Sequence, residues 1–501
     1  MKRFITAVLA AAMALTLFVP SFASAAENDN ILRIYSWEDY IATDEEDENI
    51  TMANKFETWY EETYNVDITV EYSTFGTNEI MYNQLKINPG YYDLVCPSDY
   101  MIQKMIEENM AEEFSADFLN PDYPGSEPDA SVKKLPSHYT KYVSSYIHDL
   151  FGSYAVGSGK TWNNYAAGYM WGTMGLVYNP DNVASSDMNS WGSLWNVMYK
   201  NQSTLKDSVR DTYLVGLAFV YRDELMSLRT QYMSGDIQAD EYNKKINEIL
   251  NRTDDDTLAL VEQALSTVKG NIFGFEVDSG KNDMVTGTIN INVAWSGDAV
   301  YAMDEAEAQG VELNYTVPTE GSNIWFDGWV MPTGANTELA EAFINYISMP
   351  ENACANMDYI GYTSVIAGDY VFNRMVETYG LETSATEGYT AVDLSYFFTD
   401  LTGGRSAVVY TDTVGRQFSA QYPDEETVNR CAIMNYFDDE TNDKVNIIWE
   451  NIRGTSLPVW VFIVIGVVVV GIVAFFVVRY VLKNRRGGRR PKKGYKVISK
   501  G

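Results

Sequence analysis

Cysteine and histidine are scarce, with three and two residues respectively in a chain of 501. Cys96, Cys354 and Cys431 cannot build a disulfide framework or a four-cysteine zinc site. His138 and His148 lie outside any H-E-x-x-H pattern, which argues against a zinc hydrolase. Basic residues are also in short supply: 36 Lys and Arg face 69 Asp and Glu, for a formal charge of −33. Phosphate backbones repel such a chain, so nucleic acid is excluded as a partner. What remains is 46% hydrophobic and 14% aromatic, enough to bury a large core. At about 100–200 residues per domain, the length predicts more than one domain.

The charge is unevenly placed. Lys2 and Arg3 precede an apolar stretch from Ile5 to Pro20 and the small residues Ala23-Ser24-Ala25, the pattern of an export signal cleaved after Ala25 or Ala26. No cysteine stands at that junction to carry a lipid. A second apolar run, LPVWVFIVIGVVVVGIVAFFVV, covers Leu457–Val478 without a charge. As a helix it would span about 33 Å, enough for a bilayer core of about 30 Å, with Trp460 at one interface. The tail from Arg479 to Gly501 holds ten Lys and Arg and no acid, so it is expected on the cytoplasmic side. Every acid lies between these two segments, in a body of about −45 net charge that favours a cationic ligand.

Within that body, apolar spacing alternates between strand and helix. Ile31–Tyr35 reads as a strand, Met52–Tyr64 as a helix, Val66–Tyr72 as a strand and Asn78–Ile87 as a helix. Asp93–Cys96 is a short buried strand ended by Pro97, and Met101–Asn109 is helical again. This is the βαβαβ rhythm of a mostly parallel sheet covered on both faces, whose ligands gather where strands end. The loops there read Ser36-Trp37-Glu38-Asp39-Tyr40, Pro97-Ser98-Asp99-Tyr100, Trp295-Ser296-Gly297-Asp298 and Trp325-Phe326-Asp327-Gly328. A lone Trp is usually core and a lone Asp usually a solvated turn. Four loops pairing an aromatic with a carboxylate suit a diamine, with ammonium groups on carboxylates and methylenes on ring faces.

Other patterns carry less. Gly157-Ser158-Gly159-Lys160-Thr161 ends like a phosphate-binding loop, but Tyr154 stands where its first glycine should be. The acidic runs Asp44–Glu48 and Asp254–Asp256 lack the alternating spacing of a calcium loop and read as solvated. Cys354 and Cys431 are candidates to pair, while Cys96 ends a buried strand.

The segments IYSWEDY, STFGTNEIMYNQLK, YDLVCPSDYMIQKM, YMWGTMGLVYN, SWGSLW, DSVRDTY, INVAWSGDAV, WFDGWVMP and YIGYTSV follow one another from about Ile31 to Val365. This series resembles the spermidine/putrescine-binding proteins of polyamine ABC transporters. The resemblance implies an α/β, two-lobed periplasmic-binding-protein fold with hinge crossings, closing on one linear polyamine. Trp37, Asp39 and Tyr40 fall on the first binding loop and Ser98 and Tyr100 on the second. Asp211 matches an acid that receives a terminal amine, and Trp295 an aromatic wall. Trp325 and Asp327 match a pair that packs on and neutralises the ligand, and Tyr362 lines the cleft. Departures exist: Ser208 stands where a second acid is expected, beside Asp207, Val277 where a serine is, and no glutamine is found around Phe437.

The expected organisation is a signal peptide at 1–25, lobe 1 from 27–173 and 322–368, and lobe 2 from 174–321 and 369–454. A transmembrane helix at 457–478 and a basic cytoplasmic tail at 479–501 complete it. Segments at about 122–160 and 230–256 are expected as surface elaborations. The function expected is capture of putrescine or spermidine outside a bacterial cell and delivery to ABC permease subunits and their ATPase. No enzyme activity, cofactor or metal is implied. A membrane-anchored polyamine sensor or adhesin is the alternative, and a glycosidase a weaker one, because no carboxylate pair has a fixed spacing.

Overall fold

The computed structural model describes residues 30–454, apart from Glu45, Glu48, residues 121–136 and Asp400. The export signal, the 457–478 segment and the basic tail lie outside the described residues. Among the described ones, no helix is long and apolar enough to cross a membrane. Two compact units are distinguished: Met1–Asn446 carries everything below, and of Ile447–Gly501 the described part is the end of the helix Asp439–Arg453.

The helices begin where the sequence supplies caps. Thr51 accepts from the Asn54 backbone N–H while Asn54 accepts from that of Thr51, a reciprocal cap that starts the helix Met52–Tyr64. Met52, Phe56, Tyr60 and Tyr64 then recur every fourth residue and form its buried stripe. Thr77 and Ser208 cap the helices Asn78–Ile87 and Val209–Val220, each through its hydroxyl accepting one backbone N–H.

The strands are β1 (Ile31–Trp37), β2 (Thr69–Phe75), β3 (Leu94–Val95), β4 (Ala155–Gly157), β5 (Lys160–Thr161), β6 (Ala166–Tyr178), β7 (Ser203–Lys206) and β8 (Gly274–Glu276). There follow β9 (Ile291–Trp295), β10 (Asn314–Thr316), β11 (Ser322–Val330), β12 (Thr363–Ser364), β13 (Thr390–Asp393), β14 (Val408–Thr411) and β15 (Cys431–Ala432). The main sheet runs β2-β1-β3-β11-β6-β9-β7-β8. Its flanks are parallel, as the alternation predicts: β1 with β2 and β3, and β7 with β8 and β9. Its centre is not. β11 runs antiparallel to β3 and β6, and β6 antiparallel to β9. The sheet is therefore mixed, because β6 and β11 pair across some 150 residues of chain that local periodicity does not register.

β6 is the hub. All thirteen of its residues are buried; Ala166–Thr173 pair with β11, and Met174–Tyr178 pair with β9. The strand thus serves two sheet segments, changing partner between Thr173 and Met174.

Several sequence readings can be checked against the described residues. All three cysteines are free and buried, so Cys354 and Cys431 are not bonded. The Gly157–Lys160 segment is the turn of the β4–β5 hairpin, with Gly157, Ser158 and Gly159 at positive φ. Nor is the 230–256 segment mere surface decoration. From the helix Ala239–Leu250 and its end, Asn243, Asn247 and Asn251 bond the backbone of residues 429–435 at successive turns. Asp254 is exposed, as expected of solvated surface, and in addition caps the helix Asp255–Lys269 through Thr257.

Candidate functional site

β1 ends at Trp37, and the turn beyond it delivers Tyr40 into the core, 5% exposed. Tyr40 Oη donates to Asp327 Oδ2 at 2.7 Å. Asp327 lies on β11 where its register with β6 shifts, between Asp327 and Gly328. The extra residue there is Tyr169 of β6, opposite Asp327 and Gly328, and Asp327 also bridges Ser98 of the β3–helix loop. Asp327 is 7% exposed, its Oδ1 has no hydrogen-bond partner, and no ion pair involves it among the described residues. Burial pushes its carboxyl up to about 6, against the Tyr40 and Ser98 hydroxyls, which pull it down.

Aromatic rings surround this carboxylate. Trp325, two residues earlier on β11, meets Tyr362 edge to face with ring centroids 4.8 Å apart. Tyr362 in turn lies 6.2 Å from the Tyr40 ring. Two glycines make this packing possible: a Cβ at Gly172 would stand 2.8 Å from the Trp325 ring, and one at Gly297 2.3 Å from Tyr362. The indole nitrogens of Trp37 and Trp325 are buried without partners.

Ser98 and Tyr100 are joined through Asn78. Its side-chain oxygen accepts from the Ser98 backbone N–H, and its amide donates to the Ser98 and Tyr100 hydroxyls. Between them, Asp99 is 2% exposed and accepts from the backbone N–H groups of Tyr100 and Phe326. Burial, with nearby Asp327 adding to it, lifts Asp99 to about 8.

A second cluster forms where β7 and β9 end. Ser208 accepts from the backbone N–H of Asp211, so its hydroxyl is used as a helix cap. Burial raises the Asp211 carboxyl, opposed by hydrogen bonding from Ser208 and Trp295 and by the charges of Lys206 and Arg210. Arg210 reaches toward the first cluster: its guanidinium carbon lies 3.8 Å from the Phe437 ring centroid and 5.1 Å from that of Tyr100.

The structure thus brings Tyr40, Ser98, Trp325, Asp327 and Tyr362 together, and Ser208, Asp211 and Trp295 together. Trp37 packs on Phe75 at 4.5 Å. Asp39 stays exposed in the turn at φ 52° and joins neither group. Sequence reasoning missed Asn78, Asp99, Lys206 and Arg210 as members. For Asp99 and Arg210 the available signal was adjacency, since each stands beside a residue already singled out; Asn78 and Lys206 offered none.

The family model for bacterial extracellular solute-binding proteins matches residues 51–368. The spermidine/putrescine-binding periplasmic protein of Salmonella typhimurium is 28% identical over 356 residues, covering 71% of this chain and 82% of that one. The putrescine-binding periplasmic protein PotF of Escherichia coli is 26% identical over 373 residues, covering 72% and 84%. Among solved structures, the PotD substrate-binding protein of Streptococcus pneumoniae superposes with a TM-score of 0.55 at 24% identity, covering 85% of this chain and all of that one. The TpPotD lipoprotein of Treponema pallidum gives 0.54 at 16%, covering 84% and 99%. At these identities the structural matches establish the fold alone.

Proposed function

This chain belongs to the bacterial extracellular solute-binding proteins, and from that membership we propose that it captures a linear polyamine, putrescine or spermidine, for an ABC importer. The observation that carries the reading is Asp327, a buried carboxylate with one unpartnered oxygen and no protein cation, among Tyr40, Trp325 and Tyr362. An ammonium group on Asp327 would complete the missing pair, and the methylenes beside it would lie against ring faces. The names of the relatives, which bind spermidine and putrescine, favour the same ligand class.

The partner change along β6 supports reading the body as two lobes, 27–173 with 322–368 and 174–321 with 369–454. Tyr40, Trp325 and Asp327 are all buried, so a ligand reaches the carboxylate only when the lobes part. Entry with the lobes open and retention with them closed is a hinge motion. The closed form would then dock on permease subunits served by an ATPase. The sequence of 457–478 supports a single membrane anchor with the body outside and the basic tail in the cytoplasm. Such a tether would raise the effective concentration of the body at its permease.

Calorimetric titration of the full chain with putrescine, spermidine and an uncharged diol of matched length tests the ligand class. Saturable binding of the amines and none of the diol is expected, and failure of both amines to bind would overturn the proposal. External protease on intact cells tests the anchor, because the acidic body should be lost while the basic tail is retained.

A further inference from the structure

Lys206 is the last residue of β7 and is 2% exposed. Its ammonium donates to the Val277 carbonyl at 2.8 Å and pairs with Glu276 at 3.2 Å and Asp298 at 3.3 Å. It also lies 4.3 Å from the centroid of the Trp295 ring. An ammonium on an indole face with carboxylates beside it is the arrangement that suits a polyamine terminus, and here the protein's own side chain supplies it. The position belongs to the candidate site: Asp298 and Asp327 both act on the Tyr362 phenol, and Lys206 acts on Asp211.

The placement has a consequence for ligand length. Lys206 already occupies the ammonium position between Glu276, Asp298 and the Trp295 ring. A diamine spanning from Asp327 need not reach it, whereas a triamine would bring its extra ammonium against this fixed, buried cation. Like charges brought together out of water select strongly against the ligand that carries the extra one.

We infer that Lys206 is a built-in ammonium that fills the cation position against Trp295, so that the site selects a diamine over a triamine. The inference rests on the polyamine reading above and adds the determinant of ligand length. A purely structural role for Lys206, tying β7 to the residues after β8 and β9, would change stability on mutation but not the ratio of two ligand affinities.

Calorimetry of the full chain and of Lys206→Met with putrescine and spermidine separates these cases. The unmodified chain should favour putrescine by about tenfold or more, and Lys206→Met should move the ratio toward spermidine by about tenfold or more. A preference of the unmodified chain for spermidine, or an unchanged ratio in a folded variant, overturns the inference and leaves the polyamine reading intact. If Lys206→Met does not fold, the preference of the unmodified chain decides alone. If neither amine binds the unmodified chain, both readings fall.

Discussion

Tyr40 and Asp327, 287 residues apart in the chain, share a 2.7 Å hydrogen bond that ties the turn after β1 to β11 at its register shift against β6. Burial raises the phenol of Tyr40 well above its ordinary range, and the Asp327 charge adds to it, so Tyr40 remains the donor. The bond holds one carboxylate oxygen and leaves the other without a partner.

Asp327→Asn should therefore weaken polyamine binding severely. Breaking one side of a buried charge pair costs about 3–5 kcal/mol, which is roughly two to three orders of magnitude in affinity. Calorimetry on the folded variant checks this; an affinity within threefold of the parent would assign the ligand's charge to another group.

The acidity of Asp327 sets a pH dependence. A cation binds the ionised carboxylate, so affinity should hold above about 6 and fall as protonation proceeds below it. Tyr40→Phe removes a donor that stabilises the ionised form, which raises the carboxyl further and moves the loss of binding to higher pH. Titrations from about pH 5 to about pH 8 measure both curves. Superimposable profiles would show that Tyr40 does not tune Asp327.

Gly297→Ala should act on the ligand through Tyr362. The added methyl would sit 2.3 Å from the ring, so the ring must move or the helix Ser296–Ala308 must shift. Overpacking of this kind costs about 1–3 kcal/mol of stability. Loss of affinity at least as large is expected, because the Tyr362 ring packs on Trp325. A variant that binds like the parent would remove Tyr362 from the site.

Asp99 makes a separate prediction about stability. Its folded pKa, about 8, lies above that of an unfolded aspartate, so the folded state holds the extra proton. That contribution is fully present below the unfolded value and is lost as pH rises through the folded one. Asp99→Asn cannot titrate there, so the stability of the parent relative to the variant should fall as pH rises across that interval. Thermal unfolding at several pH values reads the difference; a constant offset would contradict it.

Much of this was legible in the sequence, and the illegible remainder has a physical cause. The elements β1 to β3 and their helices follow from local periodicity, since Met52, Phe56 and Tyr60 mark a helix face wherever the chain goes. Trp325 and Asp327 could be picked out because an aromatic and an acid share the end of a buried strand. The Tyr40–Asp327 bond could not, because nothing local encodes a contact spanning most of the body. Lys206 was invisible for the opposite reason: a lysine in a short strand reads as solvated until its carboxylates are seen around it. Asp254 resembled its acidic neighbours in 254–256, and only Thr257, three residues on, distinguishes it as a cap.

Asp254→Ala consequently tests folding apart from binding. Loss of an N-cap costs about 1 kcal/mol, and Asp254 bonds both the backbone and the hydroxyl of Thr257. Lower stability with unchanged polyamine affinity is expected from unfolding curves and calorimetry run side by side. A large affinity loss would link this helix to the site.

The late arrival of β11 has a consequence for biogenesis. In the finished sheet, β11 covers the free edge of β3 at Val330 and that of β6 from Ile324 to Val330. A chain emerging from its N-terminus presents both edges until residue 330 has appeared, and unpaired edges are templates for other chains. The β3 edge is short, at two residues, whereas β6 offers Ala166–Thr173, apolar throughout except for Thr173 and interrupted by Gly168 and Gly172. Self-association is therefore a hazard of the partly emerged chain, greatest while roughly the first two-thirds stands without its closing strand.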